Sequence, residues 1–236
     1  MSTRTGRLAS GLVALTLAGW CYGSDDASAA AIRGTVLYVG PPPERKQIPI
    51  NIDQYVCGKS RENEELVIGP NRGIRWAVVS LQNPPAGARP DPSAAKPVSV
   101  DQQQCVYVPR VVVVPVGGTV DFLNSDRLLH NLHSTSSENP TFSRTQPKGR
   151  TIPVVFKKPE IVRIDCDLHT WMRAWVVVAE HPFFAVTGPQ GEFVLDSVPP
   201  GKYTLKVWQE TLGTVTREVT VGEQDTTGVT VELRKK

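Results

Sequence analysis

The sequence predicts an all-β protein, and two observations carry that reading. Its 236 residues include 20 Pro and 19 Gly, more than helix-rich chains carry, and these punctuate short segments dense in Val, Thr, Ile and Tyr. Segments such as Tyr203-Thr204-Leu205-Lys206-Val207 alternate apolar and polar residues with period two, the pattern of half-buried strands joined by tight turns. The length exceeds one average domain and falls short of three. The 26 basic and 23 acidic residues are mixed along the chain, giving a net charge of +3 without the basic stripe that nucleic acid requires; no DNA or RNA partner is expected. Four His in the whole chain exclude centres that consume many imidazoles, and the lack of Cys-x-x-Cys-His excludes an attached c-type haem.

Residues 1–29 read as a cleaved export signal. Arg4 and Arg7 make a positive start, Leu8 to Trp20 an apolar stretch too short to span a bilayer, and Ala27-Ser28-Ala29 a small-residue cleavage site. An uncleaved anchor is the alternative. Trp20 directly before Cys21 is too bulky for a lipoprotein signal, so Cys21 is expected to be discarded with the leader. No later stretch is long and apolar enough to anchor the chain. The product is therefore expected to be periplasmic or secreted, with no membrane span after signal removal.

The first strand is expected at Ile32-Arg33-Gly34-Thr35-Val36-Leu37-Tyr38 and the next at Gly73 to Leu81, whose Val78, Val79 and Leu81 are apolar. Between them, residues 40–65 hold a Pro run and a charged cluster at Arg61 to Glu65, more loop than strand. Asn83 to Pro97, rich in Pro and Ala, reads as a linker.

Three cysteines remain beyond the leader, an odd number for an exported protein. Cys57 and Cys105 have no His nearby in sequence. A structural disulfide between them is the simplest pairing, two buried free thiols the other possibility. Cys166 differs, because Cys166-Asp167-Leu168-His169-Thr170-Trp171-Met172 places thiolate, imidazole and thioether in one short loop as Cys-x2-His-x2-Met. Such soft and borderline donors suit copper in both its oxidation states and suit Mg or Ca badly; a thioether is also a poor ligand for zinc. A trigonal copper site needs a second imidazole, best supplied from another strand. Upstream, Thr119 to Asn124 reads as a strand running into a polar turn, followed by His130-Asn131-Leu132-His133. His130 is the candidate fourth ligand. An inert buried thiol at Cys166, a core gap-filler at Met172 and plain loop packing for Trp171 are the structural alternatives.

On these residues the stretch 98–180 resembles a cupredoxin, the small blue-copper fold of plastocyanin and amicyanin. The Gly117-Gly118-Thr119-Val120-Asp121-Phe122 strand with His130-Asn131 resembles the segment that supplies the first imidazole. Cys166, His169 and Met172 match the ligand loop in its short amicyanin spacing, and Ala174-Trp175-Val176-Val177-Val178 resembles the closing strand. The resemblance implies a Greek-key β-sandwich holding one type-1 copper. His130 and His169 would be its equatorial imidazoles, Cys166 the thiolate and Met172 the axial thioether. It favours His130, directly before Asn, over His133. It also implies that Asn131 ties the two ligand segments together and that Trp171 shields the metal. His181, beyond the closing strand, is expected at a surface or between domains.

Farther on, Thr187-x3-Gly191-x-Phe193 with Pro200-Gly201-x-Tyr203 resembles carboxypeptidase regulatory-like domains, small transthyretin-like β-sandwiches without catalytic residues of their own. Their usual opening strands sit instead near the other end of the chain. One sandwich built from 32–83 and 183–234, with the copper domain at 98–180 inserted, is therefore expected; simple tandem order is the alternative. A Cys57–Cys105 bond would link the two domains if residues 50–60 drape over the insertion.

The expected function is electron transfer with an unidentified redox partner protein. Four side-chain ligands leave no open position for a substrate, and nothing resembles a catalytic elbow or triad, so no enzyme activity is expected. Copper delivery without a redox role is the second reading, and a cell-surface recognition module on a cupredoxin scaffold the third. Some chains that resemble this pair of domains are labelled methylamine-utilisation proteins, which is a weak warrant for the choice of partner.

Overall fold

The computed structural model describes residues 29–41, 43–44, 46–90 and 98–235; the expected export signal at 1–28 and the 91–97 part of the expected linker lie outside them. The chain opens with β1 (Ala30–Tyr38). It makes an excursion through β2 (Gln47–Pro49), the one-turn helix α1 (Gln54–Cys57) and β3 (Ser60–Glu62), then returns as β4 (Val78–Leu81). Nine strands follow: β5 (Val98–Gln103), β6 (Val106–Val108), β7 (Val111–Pro115), β8 (Thr119–Asn124), β9 (His130–Thr135), β10 (Ser143–Gln146), β11 (Ile152–Val155), β12 (Glu160–Asp165) and β13 (Arg173–Ala179). The chain closes with β14 (Phe184–Val186), β15 (Glu192–Val198), β16 (Gly201–Gln209), β17 (Gly213–Val221) and β18 (Thr226–Leu233). The fold is all-β, as the alternation predicts. Among the described residues no helix is long and apolar enough to cross a membrane.

The strands form two sandwiches with separate cores. In the first, β1 lies between β15, antiparallel, and β18, parallel, while a second sheet runs β14-β4-β16-β17. Ile32, Val36, Leu81, Phe193, Leu195, Leu205, Val207 and Val231 fill the space between these sheets. Period-two burial in β16, where Tyr203, Leu205 and Val207 point inward, is what its alternating sequence demands. Gly34 in β1 is a packing requirement: a Cβ there would lie 2.7 Å from the Phe193 ring and closer still to the Val229 carbonyl. The strand expected over Gly73–Leu81 is shorter than its sequence suggests. Trp76 takes a left-handed backbone (φ 66) and breaks the extended run, so the continuous strand is Val78–Leu81, while Gly73 and Ile74 make isolated bridges to Leu37 and Ile68.

The second sandwich joins a five-stranded sheet, β10-β9-β12-β13-β7, to a four-stranded one, β11-β8-β5-β6. Val100, Val120, Phe122, Leu132, Val162, Ile164, Ala174 and Val176 form its core. The excursion contributes Ile50 and Cys57 to this core, although β1 and β4 on either side belong to the first sandwich. Residues 40–65, expected as loop, contain the small β2–β3 hairpin (Ile48 opposite Arg61) and α1, which together strap over the second sandwich.

The turn between β9 and β10 is organised by one carboxylate. Glu160 accepts hydrogen bonds from the Ser136 hydroxyl (2.5 Å), the Ser137 amide (2.5 Å) and hydroxyl (3.0 Å), the Asn139 amide (3.2 Å) and the Asn139 side chain (3.1 Å). Partial burial raises its pKa, but those donors outweigh the effect and bring it from the ordinary 4.5 down to about 2. A depressed folded-state pKa stabilises the fold above the unfolded value and loses that contribution as pH falls through the folded one. Acid titration of stability is therefore expected to show a loss between pH 4.5 and about 2, which Glu160→Gln abolishes. At neutral pH the same variant is expected to be less stable by about 1–3 kcal/mol, measured by urea unfolding.

Candidate metal centre

Two segments bring the donors together at one end of the second sandwich. β8 runs out at Asn124, whose Nδ2 donates to the Leu128 carbonyl (2.9 Å) and the Gln146 carbonyl (2.8 Å), and whose Oδ1 accepts the Asp126 amide (3.0 Å). That closed turn delivers His130 as the first residue of β9, fully buried. The other segment links β12 to β13. It is cinched by hydrogen bonds from the Met172 amide to the His169 carbonyl (2.8 Å) and from the Cys166 amide to the Met172 carbonyl (3.3 Å). Cys166, His169 and Met172 are all buried.

Cys166 Sγ lies 3.9 Å from His130 Nδ1 and 3.7 Å from His169 Nδ1, and the two Nδ1 atoms are 3.0 Å apart. Each ring has its far nitrogen committed: His130 Nε2 is 2.9 Å from Asp126 Oδ2, and His169 Nε2 is 3.1 Å from Asp53 Oδ2. An Nε2–H donated to each carboxylate would leave both Nδ1 lone pairs facing one another. Two lone pairs that close need a cation, either a proton or a metal ion. Burial lowers the pKa of His130 despite the opposing hydrogen bond with Asp126, which favours the neutral ring that ligates metal. A thiol and two imidazoles converging in a buried cluster fit a soft or borderline ion such as copper.

The other residues expected at the site divide as follows. Met172 is fully buried in the same core and shares the loop's backbone bonds. Asn131 Oδ1 accepts the Asp167 amide (2.6 Å) and its Nδ2 donates to Asp167 Oδ2 (2.6 Å), joining β9 to the 166–172 loop. Trp171 lies with its ring centroid 5.2 Å from that of His169, and its indole N–H donates to the Cys105 carbonyl (3.0 Å). His133 stands apart, exposed, with Nδ1 2.8 Å from Asp167 Oδ1. His181 belongs to the segment before β14, where its Nδ1 accepts the Phe183 amide at 3.2 Å. Cys57 and Cys105 form a disulfide with Cα atoms 5.1 Å apart.

Sequence reasoning did not assign Asp126 and Asp53 a part in the centre. Asp126 carried a usable signal, four residues before His130 in the same polar turn. Asp53 carried none, being 116 residues from His169 and in a different strand excursion.

The family model for the carboxypeptidase regulatory-like domain matches residues 173–234. That range takes in β13, which pairs with β7 and β12 in the second sandwich. No curated protein matches the chain. Among solved structures, the copper-containing nitrite reductase NirK from Thermus scotoductus SA-01 aligns at 26% identity over 42% of this chain, with a TM-score of 0.34; the chain spans 25% of that enzyme's length. A purple cupredoxin from Nitrosopumilus maritimus aligns at 22% identity over 35% of this chain and 99% of its own, with a TM-score of 0.31. A Cu(I) amicyanin variant aligns at 21% identity over 43% and 98%, with a TM-score of 0.32.

Proposed function

We propose that the chain is an exported blue-copper protein that carries electrons, with the metal domain at 98–180 inserted into a sandwich made of 32–83 and 183–234. The observation that carries this reading is the meeting of Cys166 Sγ with two imidazole Nδ1 atoms, each ring backed by a carboxylate. Bound copper would supply a one-electron couple between Cu(II) and Cu(I). His130, Cys166, His169 and Met172 would hold it. These residues sit on strand ends and a hydrogen-bonded loop, a frame that would hold the ion through both oxidation states with little rearrangement. Four side-chain donors leave no place for a substrate, so the role is transfer rather than catalysis. The Cys57–Cys105 bond supports an oxidising compartment, periplasmic or extracellular. The partner is a redox protein whose identity the fold does not specify.

The test is to add Cu(II) to the purified protein and record visible and paramagnetic-resonance spectra beside Cys166→Ser. An intense blue absorption with small copper hyperfine splitting, lost in the variant and cycled by a mild reductant, is the expected result. Ordinary copper spectra indifferent to Cys166 would sink the reading. Readily exchanged copper without redox cycling would turn it into delivery.

A further inference from the structure

Both imidazoles of the centre are held from behind by carboxylates, and one disulfide joins the segment that carries Asp53 to a segment whose amides Asp126 holds. Asp126 accepts the Gln104 and Cys105 amides at 2.6 and 2.8 Å as well as His130 Nε2. Asp53 caps α1, its carbonyl accepting the Cys57 amide at 2.9 Å, while its side chain reaches His169 Nε2. The Cys57–Cys105 bond therefore ties the carrier of one carboxylate to an amide held by the other.

The two carboxylates differ in exposure. Asp126 is buried, whereas the Asp53 side chain is 36% exposed over a His169 that has no exposed surface. Asp53 thus stands between the Nε2 of that imidazole and water. Its backbone is left-handed (φ 51, ψ 31), a conformation Asp tolerates better than most residues. Ile50, buried in the second core, and Gln54, whose Nε2 donates to the Ile50 carbonyl at 2.5 Å, seat the segment on either side of it. These contacts aim the carboxylate at His169.

We propose that Asp53 is a positioning residue for the metal centre: carried on a disulfide-pinned strap, it holds His169 as the Nε2–H tautomer with Nδ1 toward Cys166 and closes the site to exchange. This rests on the copper reading above. A carboxylate behind a ligating imidazole raises the basicity of the ligating nitrogen, and its charge favours the more positive oxidised metal. Removing the charge should loosen retention and raise the reduction potential.

The experiment compares the parent with Asp53→Asn, which keeps size and shape, Asp53→Ala and Asp53→Glu. Three quantities are measured: imidazole nitrogen NMR of the metal-free protein, the rate at which a Cu(I) chelator strips loaded protein, and the reduction potential. The parent should show His169 as the Nε2–H tautomer. Asn and Ala variants should lose that single tautomer, bind copper about 10–100-fold more weakly and shift to higher potential, with Glu recovering part of each. An Asp53→Asn protein with unchanged tautomer and potential means the strap only fills space, and overturns the proposal. A parent without blue colour would overturn the copper reading instead, while the metal-free tautomer measurement would still decide the role of Asp53.

Discussion

Replacing Arg110 by Met is expected to destabilise the protein by about 3–5 kcal/mol. Arg110, between β6 and β7 of the second sandwich, meets Glu210, just beyond β16 of the first, in a two-pronged pair. Its Nε lies 2.8 Å from Oε1 and its Nη2 3.1 Å from Oε2. The side chains are 5% and 6% exposed. The guanidinium also donates to the Arg173 carbonyl at 3.3 Å, next to the 166–172 loop. Truncating one partner leaves the other charge desolvated without compensation. The penalty therefore reflects the orphaned carboxylate more than the net worth of the pair. Joint replacement, Arg110→Met with Glu210→Leu, should accordingly recover most of the loss. Urea unfolding of the two single variants and the double variant checks this, and full additivity would contradict it.

Removing the disulfide is expected to cost roughly 4 kcal/mol, the chain-entropy value for a loop of this length. Its cysteines are 48 residues apart and both buried in the core of the second sandwich. Cys57→Ala with Cys105→Ala frees the strap at one end, so the loss should fall on the fold and on His169 together. Lower thermal stability should appear with faster copper loss, whereas Glu160→Gln lowers stability alone. Stability unchanged by the double substitution would mean that Ile50 and the β2–β3 hairpin hold the strap unaided.

Much of the centre was legible because its information is local. Cys166, His169 and Met172 lie within one loop, where spacing alone constrains what their side chains can share. His130 followed from the need for a second imidazole on another strand, and the resemblance at the adjacent Asn131 favoured it over His133. The disulfide was the simplest of two possibilities and is present in the structure. Less legible was the stretch 40–65, where a Pro run and a charged cluster hid a hairpin and a helical turn. Three-residue strands carry too little alternation to be read, and they owe their position to Ile50 and Cys57 being buried under the other sandwich.

The sequence by itself determined the β architecture and the residue types that meet in the cluster, because period-two alternation and a seven-residue loop act over a few residues. Tertiary structure alone decided what stands behind the two imidazoles. Asp53 reaches His169 across 116 residues, and Arg110 reaches Glu210 across 100. Such contacts depend on how strands far apart in the chain are registered against one another, and a carboxylate in an exposed loop looks the same in sequence whether it meets water or a buried imidazole.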